Sequence, residues 1–263
     1  MPAKQSQRDM MVVKANRLIR NTRYSMTATQ QKILLFAISA IKPGDDPRTW
    51  YHFDIHEFCD TIGVQEDVSG FYYKQIRKDL IGLTNYAVWM EREDGSQVTV
   101  RWLDKVEIVP LKGTVDIRFD EDLHPYLFDL SRNYTQYQLR NVLAFSGRYA
   151  IRLYEALRSY YTAKDIEKLA VREVNYTQKQ LRELLMTEGK YKRWGDFESR
   201  VLMPAVSEIN KYSDDMRVEY QKIKQGVGIA LISFIISPAR HMLRNRKRRE
   251  DKLNRITNYS PVD

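Results

Sequence analysis

The chain has a single cysteine, Cys59, among 263 residues, so no internal disulfide can staple it. Cys59 lies in HEFCDTIGV, on what reads as the apolar face of a helix, where it acts as a small hydrophobe. No stretch approaches the ~18 consecutive apolar residues that cross a bilayer, and the start MPAKQSQRDM lacks the apolar core of a secretory signal. A cytoplasmic protein without membrane contact is therefore expected. Histidine is scarce too: His52 and His56 in HFDIH straddle a strand-to-helix junction and lack the histidine-hydrophobe-histidine pattern of metal-dependent DNA-cutting enzymes. A GxxxxGK(S/T) phosphate loop is missing, which argues against a built-in ATP-driven motor. Seventeen tyrosines offer nucleophiles, yet most fall on apolar stripes that suit a core. The expectation is a protein that is no enzyme and takes neither cofactor nor metal.

What is present is enough hydrophobic residue, 43%, to bury two ordinary cores, and a net charge of +9 that suits an acidic partner such as nucleic acid. The charge sits at the ends. Residues 1 to 25 and 240 to 263 each carry +5, leaving 29 basic against 30 acidic residues between them. A neutral middle can hold phosphate only through local basic clusters.

Its apolar pattern repeats. TATQQKILLFAISAI, from Thr27 to Ile41, places Leu34, Leu35, Ala37, Ile38 and Ile41 on one helical stripe, with Thr27 and Gln30 as a capping box. SGRYAIRLYEALRSY repeats the stripe at an offset of 119 as Leu153, Tyr154, Ala156, Leu157 and Tyr160. A strand and a short helix follow each, YHFDI with HEFCDTIGV (Phe58 and Ile62 inward) and REVNY with TQKQLRELLMT, where Leu181 and Leu185 match at offset 123 and Thr177 with Gln180 forms another box. Then Phe71, Ile76, Leu80 and Leu83 recur as Phe197, Leu202, Val206 and Ile209 at offset 126. Offsets that rise in order are what a duplication with loops of different length produces.

Each third helix runs into a β-rich stretch. YAVWMEREDGSQVTVRWL turns at Asp94-Gly95 with Val98, Val100 and Trp102 alternating, and RVEYQKIKQGVGIALISFII turns at Gly226 and Gly228. The sum is an α+β chain of two tandem winged-helix domains related by internal duplication. The expected division is a disordered arm over 1–11, a first domain over 12–143, a second over 144–239 and a basic tail over 240–263. RWLDKVEIVPLKGTVDIRF, beyond the first hairpin, is the candidate for dimerisation or partner contact through Val115 and Ile117.

The segments VVKANRLIRN, MTATQQKILLFAISAI, FDEDLHPYLFDLSRNYTQYQL, SGRYAIRLYEALRSYY and YKRWGDFESRVLMPAVSEIN resemble the initiator replication protein family of iteron-bearing bacterial plasmids. The resemblance implies two winged-helix domains, binding of directly repeated origin DNA as a monomer to start replication, repression of the chain's own promoter as a dimer on an inverted repeat, and recruitment of host replication proteins such as the replicative helicase and the chromosomal initiator.

In a winged helix the third helix enters the major groove while the wing touches backbone. That selects GKYKRWGDFESR: Arg193 and Arg200 as base readers suited to guanine, Lys190 and Lys192 on phosphate, and Ser199 beside them. The family resemblance supports Arg193 and Arg200, although relatives carry a denser basic run where this chain has Glu198 and Ser199. Glu198 either accepts from cytosine N4 or faces away. In the first domain Tyr73, Lys74, Arg77 and Lys78 hold the equivalent place, and Lys222 and Lys224 are candidates on the second wing. HMLRNRKRREDK reads as a solvated basic arm or frayed helix that raises non-specific affinity, and Lys14, Arg17, Arg20 and Arg23 either do the same or pack on the first domain. Two other functions fit the same fold: a transcriptional regulator without initiator activity, and a non-enzymatic replication scaffold.

Overall fold

A computed structural model describes residues 10–62, 71–91, 95–109, 113–226 and 228–257. The first half opens with β1 (Met11–Ala15), α1 (Asn16–Asn21) and α2 (Ala28–Ile38). Thr27 and Gln30 form the capping box, each side chain bonded to the other's backbone N–H at 3.0 Å. The helix stops three residues short of Ile41, and it is buried on nearly every side from Ile33 to Ile38 rather than on one stripe. Next come β2 (Tyr51–Asp54), α3 (Ile55–Ile62), α4 (Phe71–Asn85), β3 (Ala87–Glu91), β4 (Gln97–Arg101), β5 (Leu103–Val109) and β6 (Thr114–Phe119). Phe58 and Cys59 are buried as expected, whereas the Ile62 side chain lies outside the described residues. Gly82 lets α4 cross close over α2, because a Cβ there would come within 2.7 Å of the Gln30 amide.

The chain then passes through α5 (His124–Leu127) to β7 (Tyr134–Gln138), which pairs antiparallel with β1, and on to α6 (Arg140–Leu143). The second half comprises α7 (Arg148–Arg158), α8 (Ala163–Glu167), β8 (Arg172–Tyr176), α9 (Gln178–Leu184), α10 (Trp194–Phe197), a π turn (Glu198–Leu202), α11 (Met203–Tyr212), β9 (Met216–Gln225), β10 (Gly228–Pro238) and α12 (Arg240–Thr257). Thr177 and Gln180 form their box as well.

The two halves share one sheet topology. Strand order is β2-β6-β5 in the first and β8-β10-β9 in the second, antiparallel throughout. The strand after the first helix pairs with the last strand of the hairpin in both, so the first half's wing is β5-β6. This corrects the expectation from sequence, which put the wing at the Asp94-Gly95 turn. That turn joins β3 to β4 in a separate two-stranded sheet inserted between α4 and the wing. Gly95 has φ +83°, while Asp94 lies outside the described residues. Hairpin chemistry was visible in the sequence; which hairpin continues the β2 ladder is a long-range pairing that local chemistry does not encode. Within the expected contact segment, Val115 and Ile117 are inward-facing residues of central strand β6, at most 4% exposed, and serve the core.

One hydrophobic core runs through both halves, and α7 is its hinge-pin. It packs against α11 of its own half and against α1 and α2 of the other. Every residue from Ala150 to Arg158 is buried, including Arg152, Glu155 and Arg158. Buried charges need partners. Glu155 Oε1 accepts from Lys14 Nζ at 2.7 Å and from the Tyr137 hydroxyl at 2.8 Å. Arg152 donates to the Thr22 carbonyl at 2.5 Å and to Tyr24 at 3.3 Å, and Arg158 donates to Asp215 at 3.0 Å and to the Gln136 carbonyl at 2.9 Å. Burial, reinforced by the neighbouring carboxylate, pushes the Tyr137 hydroxyl well above its ordinary pKa. The basic residues near the start are thus spent largely on the second half: Lys14 on Glu155, Arg20 on Ser159 with its guanidinium over Tyr160, and Arg23 on Glu188. Tyr160, expected on the buried stripe, is 38% exposed and Tyr161 takes the core position instead.

Candidate nucleic-acid interface

The loop after α9 is wound tightly by Gly189 and Tyr191, both in the left-handed region at φ +76° and +50°. Arg182 braces it, donating to the Lys190 carbonyl at 3.0 Å while lying over the Phe197 ring at 4.5 Å. This presents Lys190, Lys192 and Arg193 to solvent, with Arg193 as the N-cap residue of α10. From there α10, the π turn and α11 run on as a single helix. The Met203 N–H bonds the Glu198 carbonyl five residues back, and Pro204, in the first turn of α11, has no N–H with which to bond Arg200 in the α pattern. Phe197, Val201, Leu202, Ala205, Val206 and Ile209 face the core, whereas Asp196, Ser199, Arg200, Met203 and Ser207 face solvent. Among the described residues, no carboxylate pairs with Lys190, Lys192, Arg193 or Arg200, so four cations are available for an anionic ligand at the opening of the helix.

Glu198 is turned toward the wing rather than onto the outward face of its helix. Its carboxylate accepts from the Trp194 indole at 2.7 Å, from the Tyr220 hydroxyl at 3.0 Å and from Lys222 Nζ at 3.0 Å. Burial pushes this carboxyl up, but the bonds from Lys222, Trp194 and Tyr220 outweigh that and hold it below its ordinary value. Burial first, and then the hydrogen bond and negative charge of Glu198, raise the Tyr220 hydroxyl to about 12. Glu198 thereby fastens the helix to the wing, and the Lys222 ammonium, expected on phosphate, is ion-paired with it at the surface. Lys224 lies further out, cross-strand from Ile229 and near the Gly226 turn at φ +61°, on a stretch of β9 exposed from Gln221 onward.

In the first half α4 presents Lys74, Arg77 and Lys78 on one exposed face. The Tyr73 side chain lies outside the described residues. The C-terminal basic segment is helical, with Arg240, Arg244, Lys247 and Arg248 exposed along α12. His52 Nδ1 lies 2.6 Å from Asp116, and the described residues hold no cluster of metal-binding side chains. No described helix is long and apolar enough to cross a membrane. Sequence reasoning missed the outward Asp196 and Met203 and the Glu198 clamp. The signal for Met203 was its absence from the repeated apolar positions, which marks a large hydrophobe the core does not require.

Residues 11–158 match the family model described as Initiator Replication protein, WH1, and residues 177–236 the one described as Initiator Rep protein, WH2. A "Replication initiation protein" of Escherichia coli is 24% identical over 214 residues, covering 78% of this chain and 64% of the relative, so the chain spans less than two thirds of that protein's length. Among solved structures, the Pi initiator protein, crystallised in complex with iteron DNA, superposes with a TM-score of 0.73 at 15% identity, over 89% of this chain and 99% of that one. With both winged-helix units matched in order over most of its length, this chain belongs to the initiator replication protein family.

Proposed function

We propose that this chain starts replication of a bacterial plasmid by binding directly repeated origin DNA as a monomer, the α10–α11 helix in the major groove of each repeat. The observation that carries this is the group of Lys190, Lys192, Arg193 and Arg200, exposed and without described acidic partners, at the start of the third helix of a winged-helix unit. Arg200 and Arg193 have the fork that guanine O6 and N7 accept, Lys190, Lys192 and Lys224 are point charges for phosphate, and Ser199 serves either. Lys74, Arg77, Lys78 and Tyr73 give the first half, over 12–143, a backbone grip, while the second half, over 144–239, reads sequence. Lys222 contributes only if the Glu198 contact opens.

The family match, together with the fold shared with the Pi initiator protein crystallised in complex with iteron DNA, supports this reading. On it, a dimer binds an inverted repeat to repress the chain's own promoter, since two-fold proteins match palindromes. The chain is no enzyme: bound monomers deform adjacent A·T-rich DNA, and the replicative helicase and chromosomal initiator of the host supply the motor, in the cytoplasm.

The test is binding to DNA from the chain's own replicon against random duplex at a fixed ~150 mM salt. A preference for direct repeats that Arg200→Ala lowers by about 1–3 kcal/mol is the expected result. Equal affinity for random duplex overturns it in favour of a scaffold with a non-specific grip, and preference for a lone palindrome favours a regulator.

A further inference from the structure

The outward face of the α10–α11 helix is not only cationic. Met203 stands on it, 55% exposed, between Arg200 and Ser207. Methionine ordinarily fills gaps in interiors. Here the buried side of the helix is complete without it, from Phe197 to Ile209. Its placement is also fixed: Met203 closes the π turn through its own N–H to Glu198, and Pro204 next to it rules out the regular α bond at that point. A π turn winds more slowly than the 3.6 residues per turn of an α-helix, so it sets which side of the helix Met203 occupies.

Resting on the reading that this helix enters the major groove, we propose that Met203 is a specificity-determining residue whose thioether packs against the C5-methyl group of a thymine. That methyl is the apolar group which base edges display in the major groove. Three residues of helix advance ~4.5 Å, against ~3.4 Å between stacked bases, so the thymine lies one to two base pairs from the guanine taken by Arg200. Asp196, Ser199, Arg200 and Met203 then offer an acceptor, a hydroxyl, a guanidinium and an apolar tip on a single face.

The experiment replaces each thymine of the bound repeat, one at a time, by uracil, which keeps the base pair and O4 and removes only the methyl. Wild-type protein is expected to lose about 3- to 10-fold in affinity at one or two adjacent positions and nowhere else along the helix footprint. Met203→Ala binds the parent repeat more weakly by the same factor, no longer distinguishes thymine from uracil there, and keeps its loss on Arg200→Ala and its affinity for random duplex. Met203→Leu restores the discrimination. A wild-type protein that prefers the repeat but is indifferent to every uracil, or a Met203→Ala protein that still discriminates, overturns the assignment alone. A wild-type protein that grips repeat and random duplex equally overturns the placement of the helix, and Met203 with it.

Discussion

The third helices of the two halves occupy the same place in the same topology and present different chemistry. The exposed face of α4 carries Lys74, Arg77 and Lys78, with Ile81 one turn on. That of α10–α11 carries Asp196, Ser199, Arg200, Met203 and Ser207. A face of like charges holds any phosphate backbone equally well, whereas a face that mixes acceptor, donor and apolar groups favours some base edges over others. The wings differ in the same sense. The second pairs strands of 10 and 11 residues, spanning roughly 33 Å, and is clamped to its helix by Glu198. The first is shorter and has a hairpin inserted before it. The two scaffolds thus share a topology and differ at their exposed positions, a difference that fits the proposed division between backbone grip and base reading.

The comparison breaks most severely where the halves are joined. Glu155→Ala leaves Lys14 buried without its carboxylate and is expected to cost about 3–5 kcal/mol of stability, measured by chemical denaturation, with both halves affected together. Should only the second half loosen, as reported by hydrogen exchange, the two would be energetically separate. Next in size, Arg200→Ala should lose about 1–3 kcal/mol on the repeat and little on random duplex. The contrasting variant removes Lys74, Arg77 and Lys78 together. Its affinity should fall alike on both duplexes, and the dependence of log affinity on log salt should become shallower by roughly 3, near 0.9 per lost phosphate contact. A sequence-dependent loss from that triple change would mean that α4 reads bases too.

The smallest effect concerns acid. Glu198 and Asp165 are both held below their ordinary values, burial pushing each up and hydrogen bonds outweighing it, from Lys222, Trp194 and Tyr220 to the first and from Arg172 and Thr162 to the second. Carboxyls depressed in the folded state contribute stability that is present above their unfolded value, ~4, and is lost as pH falls through the folded one. Stability should therefore decline in the acid limb below pH ~4, and Glu198→Gln should make that decline shallower while leaving the limb above pH 6 parallel to wild type.

Much of this architecture was legible because it rests on local chemistry. Two capping boxes, most of the repeated apolar spacing and the exposed cations of GKYKRWGDFESR are properties of short segments, and the structure shows them, with Ile41 beyond the end of α2 and Tyr160 on the surface as the exceptions. What escaped depended on distant partners. The buried polar partners of α7, Lys14, Tyr24 and Tyr137, come from across more than 120 residues or from a neighbouring strand. For Glu198 the sequence left open a base contact or an outward charge, and its bond to Lys222, 24 residues on, was out of reach of local reasoning. The β5-β6 wing was passed over because the Asp94-Gly95 turn is the stronger local hairpin signal.

The position of α7 also bears on how the molecule can be divided. A cut before Arg148 would strip β1, α1 and α2 of the surface they rest on and leave Lys14 facing water; a cut after Arg158 would take from the second unit the helix on which α11 sits. The two winged helices therefore share a party wall. Neither can be lifted out whole, and any swivel of one against the other must first draw Glu155, Arg152 and Arg158 out of their sockets.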